Sequence, residues 1–240
     1  MLLNCDMGEA FGSWSMGQDE QLMPYIDCAN IACGFHAGDP SVMRHTLELA
    51  KAHNVEVGAH PGYPDLQGFG RRKMHLSAAE MRDCLHYQIA ALCGMANIVG
   101  VQVSYVKPHG AMYNQMMQDE KLMRVIMSAV SAYPVPLQLM IQATESYATH
   151  SNIAQEYNLA LRTEAFSDRG YLDNGCLVPR TEPGAVLDKG AAIAQCQALM
   201  ANGQVRTVSN KLLSLQVDSI CIHGDTQDAL DIVQGIREAE

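Results

Sequence analysis

The chain has 240 residues, 48% of them apolar and 18% charged, a balance that supplies a sizeable core and excludes a disordered chain. Its 16 basic and 26 acidic residues give a formal net charge of −10, which argues against nucleic acid or an anionic membrane as the main partner. No segment has the length of a membrane span or the form of a leader peptide, and eight cysteines without C-x-x-C spacing read as buried thiols of a cytoplasmic protein rather than disulfides or a zinc knuckle.

Strand-like and helix-like segments alternate along the chain. Leu2 to Asp6 reads as a first strand, followed by a polar stretch to Met23. A second strand near Cys28 to Cys33 leads into Asp39-Pro40, a helix cap with proline at the first helical position. Behind it Val42, Met43, Thr46, Leu47 and Ala50 form an apolar stripe. Val55 to Ala59 is a third strand, and a loop rich in glycine and proline runs from Pro61 to Met74. Ser77-Ala78-Ala79-Glu80 is a capping box, and Met81, Leu85, Ile89 and Leu92 continue its helix. Strand four is Val101 to Val106, and the next helix spans Asp119 to Ala132. Strand five, Pro136 to Ile141, precedes a helix from about Thr144. Strand six, Leu159 to Arg162, opens a long loop over 164–182, after which a helix is predicted from Pro183 to Asn202-Gly203. Strand seven, Ser219 to Ile222, feeds a helix capped by Asp225.

Seven βα units without a linker predict one parallel α/β domain over residues 1–240, either a doubly wound sheet or a closed barrel. The barrel is favoured because polar residues end nearly every strand, not only the pair flanking one switch point. With seven strands, the barrel is expected to be incomplete or irregular.

The chemistry gathers at those strand ends. Four of nine histidines, His36, His60, His109 and His223, sit where an apolar run meets a glycine turn; His45, His53, His75, His86 and His150 lie away from these ends. Histidine is readily tuned for proton transfer or metal binding near neutral pH. Asp6 ends strand one and Glu9 follows it; either suits a metal, the orientation of a histidine, or a loop cap. Asp6, His36 and His60 are the candidate metal ligands, although no H-x-x-x-H or H-E-x-x-H pair fixes a divalent metal. Lys107 suits neutralising an anion or polarising a carbonyl. Arg71 and Arg72 follow Gly68-Phe69-Gly70 on a loop expected to be mobile and cationic over the same face, and Glu164, Asp168 and Arg169 are expected on the loop after strand six, closing over substrate or pairing with each other. Asn4 and Asn30, inside strands, need buried hydrogen-bond partners or a ligand. No P-loop sequence occurs.

The successive motifs carry a resemblance. Asn4-Cys5-Asp6-Met7-Gly8-Glu9, the run from Ala29 to Pro40 containing Gly34-Phe35-His36-Ala37-Gly38, Gly58-Ala59-His60-Pro61-Gly62, Gly68-Phe69-Gly70-Arg71-Arg72, Val106-Lys107-Pro108-His109-Gly110, Glu164 to Tyr171, Leu177 to Arg180, and Cys221-Ile222-His223-Gly224-Asp225 resemble, in order, the signatures of the LamB/YcsF family. Cys28, where serine is common, and Met112, where leucine is usual, depart from the pattern without removing a candidate group. The resemblance implies an irregular seven-stranded (β/α) TIM-like barrel of the glycoside hydrolase/deacetylase type. It also implies one component of an ATP-dependent 5-oxoprolinase, which opens 5-oxo-L-proline to L-glutamate with ATP as co-substrate and two partner subunits, B and C. In that setting the candidate catalytic residues are Asp6, His36, His60, Lys107 and His109. The candidate substrate or nucleotide contacts are Asn4, Glu9, Asn30, Arg71, Glu164, Asp168, Arg169, His223 and Asp225. Asp6 with His36 or His60 would activate water, Lys107 and Arg71 would neutralise a phosphoryl group or carboxylate, and His109 or His223 would protonate the departing nitrogen. The rival readings are a stand-alone metal-dependent deacetylase or amidohydrolase and a non-catalytic substrate-binding subunit.

Overall fold

A computed structural model describes residues 1–224 and 228–238. Parallel strands β1 (Leu2–Met7), β2 (Cys28–Ala32), β3 (Glu56–His60), β4 (Val103–Val106), β5 (Gln138–Gln142) and β6 (Leu161–Phe166) pair in sequence order. A short antiparallel hairpin, β7 (Gln204–Arg206) with β8 (Leu212–Ser214), stands apart. β9 (Ser219–Ile222) then lies between β6 and β1 and closes a seven-stranded barrel. Parallel neighbours require long crossovers. Helices α1 (Asp19–Leu22), α2 (Pro40–His53), α3 (Ala78–Val99), α4 (Gly110–Gln118), α5 (Glu120–Ser131), α6 (Tyr147–Glu156), α7 (Lys189–Asn202) and α8 (Ala229–Arg237) lie in those crossovers and after the last strand.

Local chemistry sets the helix starts. Asp39 accepts hydrogen bonds from Ser41 N and Val42 N at 2.8 and 2.9 Å and precedes Pro40 at the start of α2. The Ser77–Glu80 capping box forms in both directions at the start of α3. Several expectations shift. The helix expected from Pro183 begins at Lys189, because Asp188 caps it by accepting from Ala191 N at 2.9 Å; Leu187 N is instead tied back to Asp168 O. Strand β6 continues to Phe166, so Glu164 is a strand residue and not a loop residue. Helix α4 and the β7–β8 hairpin have no counterpart among the elements expected from sequence. Asp225, expected to cap the last helix, lies outside the described residues; α8 follows Asp228.

Side chains alternate across each strand. On β1, Leu3, Cys5 and Met7 join the main apolar core with helix residues such as Leu47, Leu85 and Ile126, while Asn4 and Asp6 belong to the polar barrel interior. The interior has one small apolar layer of its own, Cys28, Tyr105 and Met140. Gly58 makes room for it: a Cβ there would overlap the Tyr105 ring. Below this layer, at the strands' N-terminal ends, Arg162 meets Glu56 through two bonds of 2.9 Å. Above it, at the C-terminal ends, the groups singled out in the sequence collect.

Candidate active site

Asp6 lies between a lysine and a group of histidines. Its Oδ1 accepts from Lys107 Nζ and from Asn30 Nδ2, both at 2.8 Å, and its Oδ2 is 3.4 Å from His60 Nε2. Asn30 also donates to Asn4 Oδ1 at 2.8 Å and accepts from the Tyr105 hydroxyl at 2.7 Å; Asn4 donates to Ser219 Oγ at 2.9 Å. The two buried amides thus form a floor that holds Asp6 from below.

Lys107 is 3% exposed, which excludes a surface lysine reaching out from the rim. Its Nζ lies 3.0 Å from Glu164 Oε2, as an ion pair outside hydrogen-bond angles, and donates to Cys221 Sγ at 3.2 Å. Burial alone would push the ammonium down, but Asp6 and Glu164 hold it well above the usual lysine range. Burial pushes the Cys221 thiol well up, so the negative charge around Lys107 belongs to the two carboxylates. Burial would likewise raise Asp6, and His60 and Lys107 reverse this, holding its carboxyl well below the ordinary range.

The histidines form a packed group on one side of Asp6. His36 and His109 stack with ring centres 3.8 Å apart and planes 5° from parallel, and His60 stands edge-on to both. His60 Nδ1 donates to Lys107 O at 2.7 Å, and His109 Nε2 donates to Phe69 O at 2.8 Å. Glu9 Oε1 is 3.7 Å from His36 Nε2 and 3.6 Å from His109 Nδ1. Burial, followed by the neighbouring histidines, pushes His36 and His109 well below the usual histidine range, so both rings are neutral near pH 7. Gly70, at φ 62°, closes this wall; a Cβ there would come within 2.8 Å of His109 Cδ2 and of His36 Cβ.

Across Asp6, His223 Nδ1 meets both oxygens of buried Asp168 at 2.8 and 3.0 Å, and its ring stacks on Phe166. Burial opposes the Asp168 charge, and His223 more than offsets it, so this carboxyl lies below its usual range. The ligand-capable atoms of Glu9, His36, His60 and His109 lie within 4.8 Å of one another, as do those of Asp6, Cys221 and His223. The first set is a cluster with the composition of a divalent-metal site.

Two expectations on the loops change. Arg169 directs its hydrogen bonds to the backbone, donating to Ala185 O and Val178 O at 2.8 and 2.7 Å, and clamps the loop before α7, while Asp168 bonds His223. Arg72 is held by buried Asp65, while Arg71 is exposed with its guanidinium 5.1 Å from the Phe69 ring centre. That loop is anchored, with Gly70 O accepting from Ala111 N at 2.9 Å. Tyr105 and Cys221 are members of the site that sequence reasoning missed. Tyr105 shares a strand face with Lys107 two residues on, a period-2 signal that was legible.

A sequence model of the LamB/YcsF family matches residues 1–240. The chain belongs to the LamB/YcsF family. Similar proteins include the 5-oxoprolinase A subunit of Pseudomonas fluorescens (strain Pf0-1), 51% identical over 100% of this chain and 96% of that protein. Its counterpart in Vibrio parahaemolyticus, of the same name, is 46% identical over 100% of this chain and 95% of its own length. The solved lactam utilization protein of Thermus thermophilus superposes with a TM-score of 0.91 at 37% identity, covering 100% of this chain and 95% of that one. The LamB/YcsF motifs therefore have a common destination: the strand ends deliver Asn4, Asp6, Glu9, Asn30, His36, His60, Lys107, His109, Glu164, Asp168 and His223 to one mouth, with Arg71 at its rim and Arg169 behind it.

Proposed function

We propose that this chain is the component of an ATP-dependent 5-oxoprolinase in which the ring of 5-oxo-L-proline is opened to L-glutamate. The observation that carries this reading is the Asp6–Lys107 pair at the centre of the mouth, 2.8 Å apart, with a histidine on either side. The full-length similarity to proteins named as the A subunit of 5-oxoprolinase supports the substrate. The reading includes two partner subunits, B and C, and a cytoplasmic location, which eight cysteines in thiol form support.

A lactam carbon is a poor electrophile because its nitrogen shares electrons with the carbonyl. Transfer of the γ-phosphoryl group of ATP to the amide oxygen makes that carbon electrophilic and releases ADP. Water then adds to the carbon, and Asp6 Oδ2, the oxygen not tied to Lys107 and Asn30, takes its proton. Lys107 offsets the negative charge that gathers on the oxygens. His223, oriented by Asp168, gives a proton to the nitrogen as the C–N bond breaks, leaving an acyl phosphate. A second water converts this to glutamate and phosphate. Arg71 meets the substrate carboxylate or phosphoryl group at the rim, Glu164 keeps Lys107 charged, and Asn4 and Asn30 hold Asp6 in place.

The test is an add-back assay of purified chain with partner subunits B and C, 5-oxoproline and ATP. Glutamate should form only when all three components and ATP are present. Glutamate release by B and C without this chain contradicts the reading. Release by this chain alone without ATP would establish the rival amidohydrolase, which the Glu9–histidine cluster favours.

A further inference from the structure

The contact between His60 and His109 contains a conflict that hydrogen bonds alone do not resolve. Backbone carbonyls only accept, so Lys107 O fixes the His60 proton on Nδ1, and Phe69 O fixes the His109 proton on Nε2. A neutral imidazole carries one N–H. With both rings neutral, the two remaining nitrogens, His60 Nε2 and His109 Nδ1, are both lone pairs, and they face each other at 2.9 Å. Positive charge between them removes the repulsion. Carboxylates face the gap from both sides, Asp6 Oδ2 at 3.4 Å from His60 Nε2 and Glu9 Oε1 at 3.6 Å from His109 Nδ1, so a cation bound there meets negative charge as well as two lone pairs. A second observation points the same way. His36 is 1% exposed, and neither of its ring nitrogens makes a hydrogen bond.

We propose that Glu9, His36, His60 and His109 form a binding site for one divalent transition-metal ion, with His60 Nε2 and His109 Nδ1 as its central nitrogen ligands. Two nitrogens bound to one tetrahedral ion at about 2.0–2.1 Å lie roughly 3.3 Å apart, close to the separation found here. Glu9 adds a carboxylate oxygen within 3.6 Å of one ring nitrogen and 3.7 Å of another. A ligating histidine commonly donates its other N–H to a carbonyl, and both central rings do so. Three imidazoles and a carboxylate suit zinc, cobalt, manganese or iron rather than magnesium or calcium. This ligand set differs from the trio Asp6, His36 and His60 suggested by sequence, since Asp6 already carries Lys107 and Asn30 on one oxygen. The site does not depend on the identity of the substrate.

The test uses purified full-length chain, freed of metal with a chelator and titrated with Co²⁺ and Zn²⁺ followed by calorimetry and elemental analysis. One equivalent per chain is expected, with a visible cobalt spectrum of nitrogen and oxygen ligation. Glu9→Gln and His109→Ala should each weaken binding at least about tenfold. Should His109→Ala fail to fold, as judged by circular dichroism, the near-isosteric Glu9→Gln carries the comparison. Absence of stoichiometric binding, binding unchanged by Glu9→Gln, or a thiolate-to-cobalt charge-transfer band from the cysteines would each overturn the site. None of these readouts depends on 5-oxoproline turnover, so failure of the site and failure of the functional reading are separable.

Discussion

The two ends of the barrel place charged side chains inside the same closed sheet and use them differently. At the N-terminal end, Glu56 and Arg162 satisfy one another. The guanidinium makes two 2.9 Å bonds to the carboxylate and a third to Gln138 Oε1 at 3.0 Å, while Ser104 Oγ and Cys28 Sγ donate to the same carboxylate. Arg162 also lies 4.9 Å over the Tyr105 ring. At the C-terminal end, Lys107 is shared between two carboxylates, two histidine lone pairs face each other, and the His36 ring makes no hydrogen bond. A matched network is scaffold; a mismatched one in a folded protein is held in place for something else to complete. A hollow of about 610 Å³ opens at the matched end, lined by Glu56 and Arg162 among others, which shows that concavity alone is a poor guide to chemistry in this fold.

Substitutions can break this contrast from either side. The largest effect is expected for Lys107→Met, which strands Asp6 and Glu164 as buried carboxylates. Stability in urea melts should fall by about 3–5 kcal/mol, with glutamate release down by about 10²-fold or more. Gly58→Ala, between the two ends, forces a methyl group into the Tyr105 ring and should cost about 1–3 kcal/mol in the same melts. Arg162→Met removes the partner of a half-buried glutamate. We expect a loss of about 1–3 kcal/mol with turnover per folded chain unchanged, because the mouth is untouched.

The smallest effect is in pH dependence. Burial raises the Glu56 carboxyl, but Arg162 and Ser104 more than offset this and hold it below the usual glutamate range. The unfolded chain therefore binds the proton more readily, and stability rises with pH through this window. The contribution is complete above the ordinary glutamate value of about 4.3 and is lost as pH falls through the lower folded value. Acid melts of Glu56→Gln should show a shallower slope there than the wild type; identical slopes would show that this pair does not contribute.

Much of this was legible in the sequence. The alternation of strands and amphipathic helices predicts a parallel α/β domain, and the polar groups that end nearly every strand favour a barrel and mark its mouth, because one end of every parallel strand faces the same way. The barrel, expected to be incomplete or irregular, is closed, with its irregularity a register shift between Val57 and Gly58. The extent of strand six was less legible: Thr163 and Glu164 are polar, so the run reads as stopping at Arg162, yet both face buried surroundings. Cys221 reads as a small apolar residue until the fold sets it beside Lys107. The pairing of Glu56 with Arg162 spans 106 residues, and no local pattern announces it. Histidine tautomers were beyond reach for the same reason. They depend on carbonyls 47 and 40 residues away, at Lys107 and Phe69.

The most direct test of a catalytic mouth over an inert base is the rate of glutamate release by Asp6→Asn in the three-component mixture with ATP, measured beside Arg162→Met and normalised to folded chain. A fall of about 10²–10⁴-fold is predicted for Asp6→Asn, and a wild-type rate for Arg162→Met. A near-wild-type rate for Asp6→Asn would contradict the role given to this carboxylate.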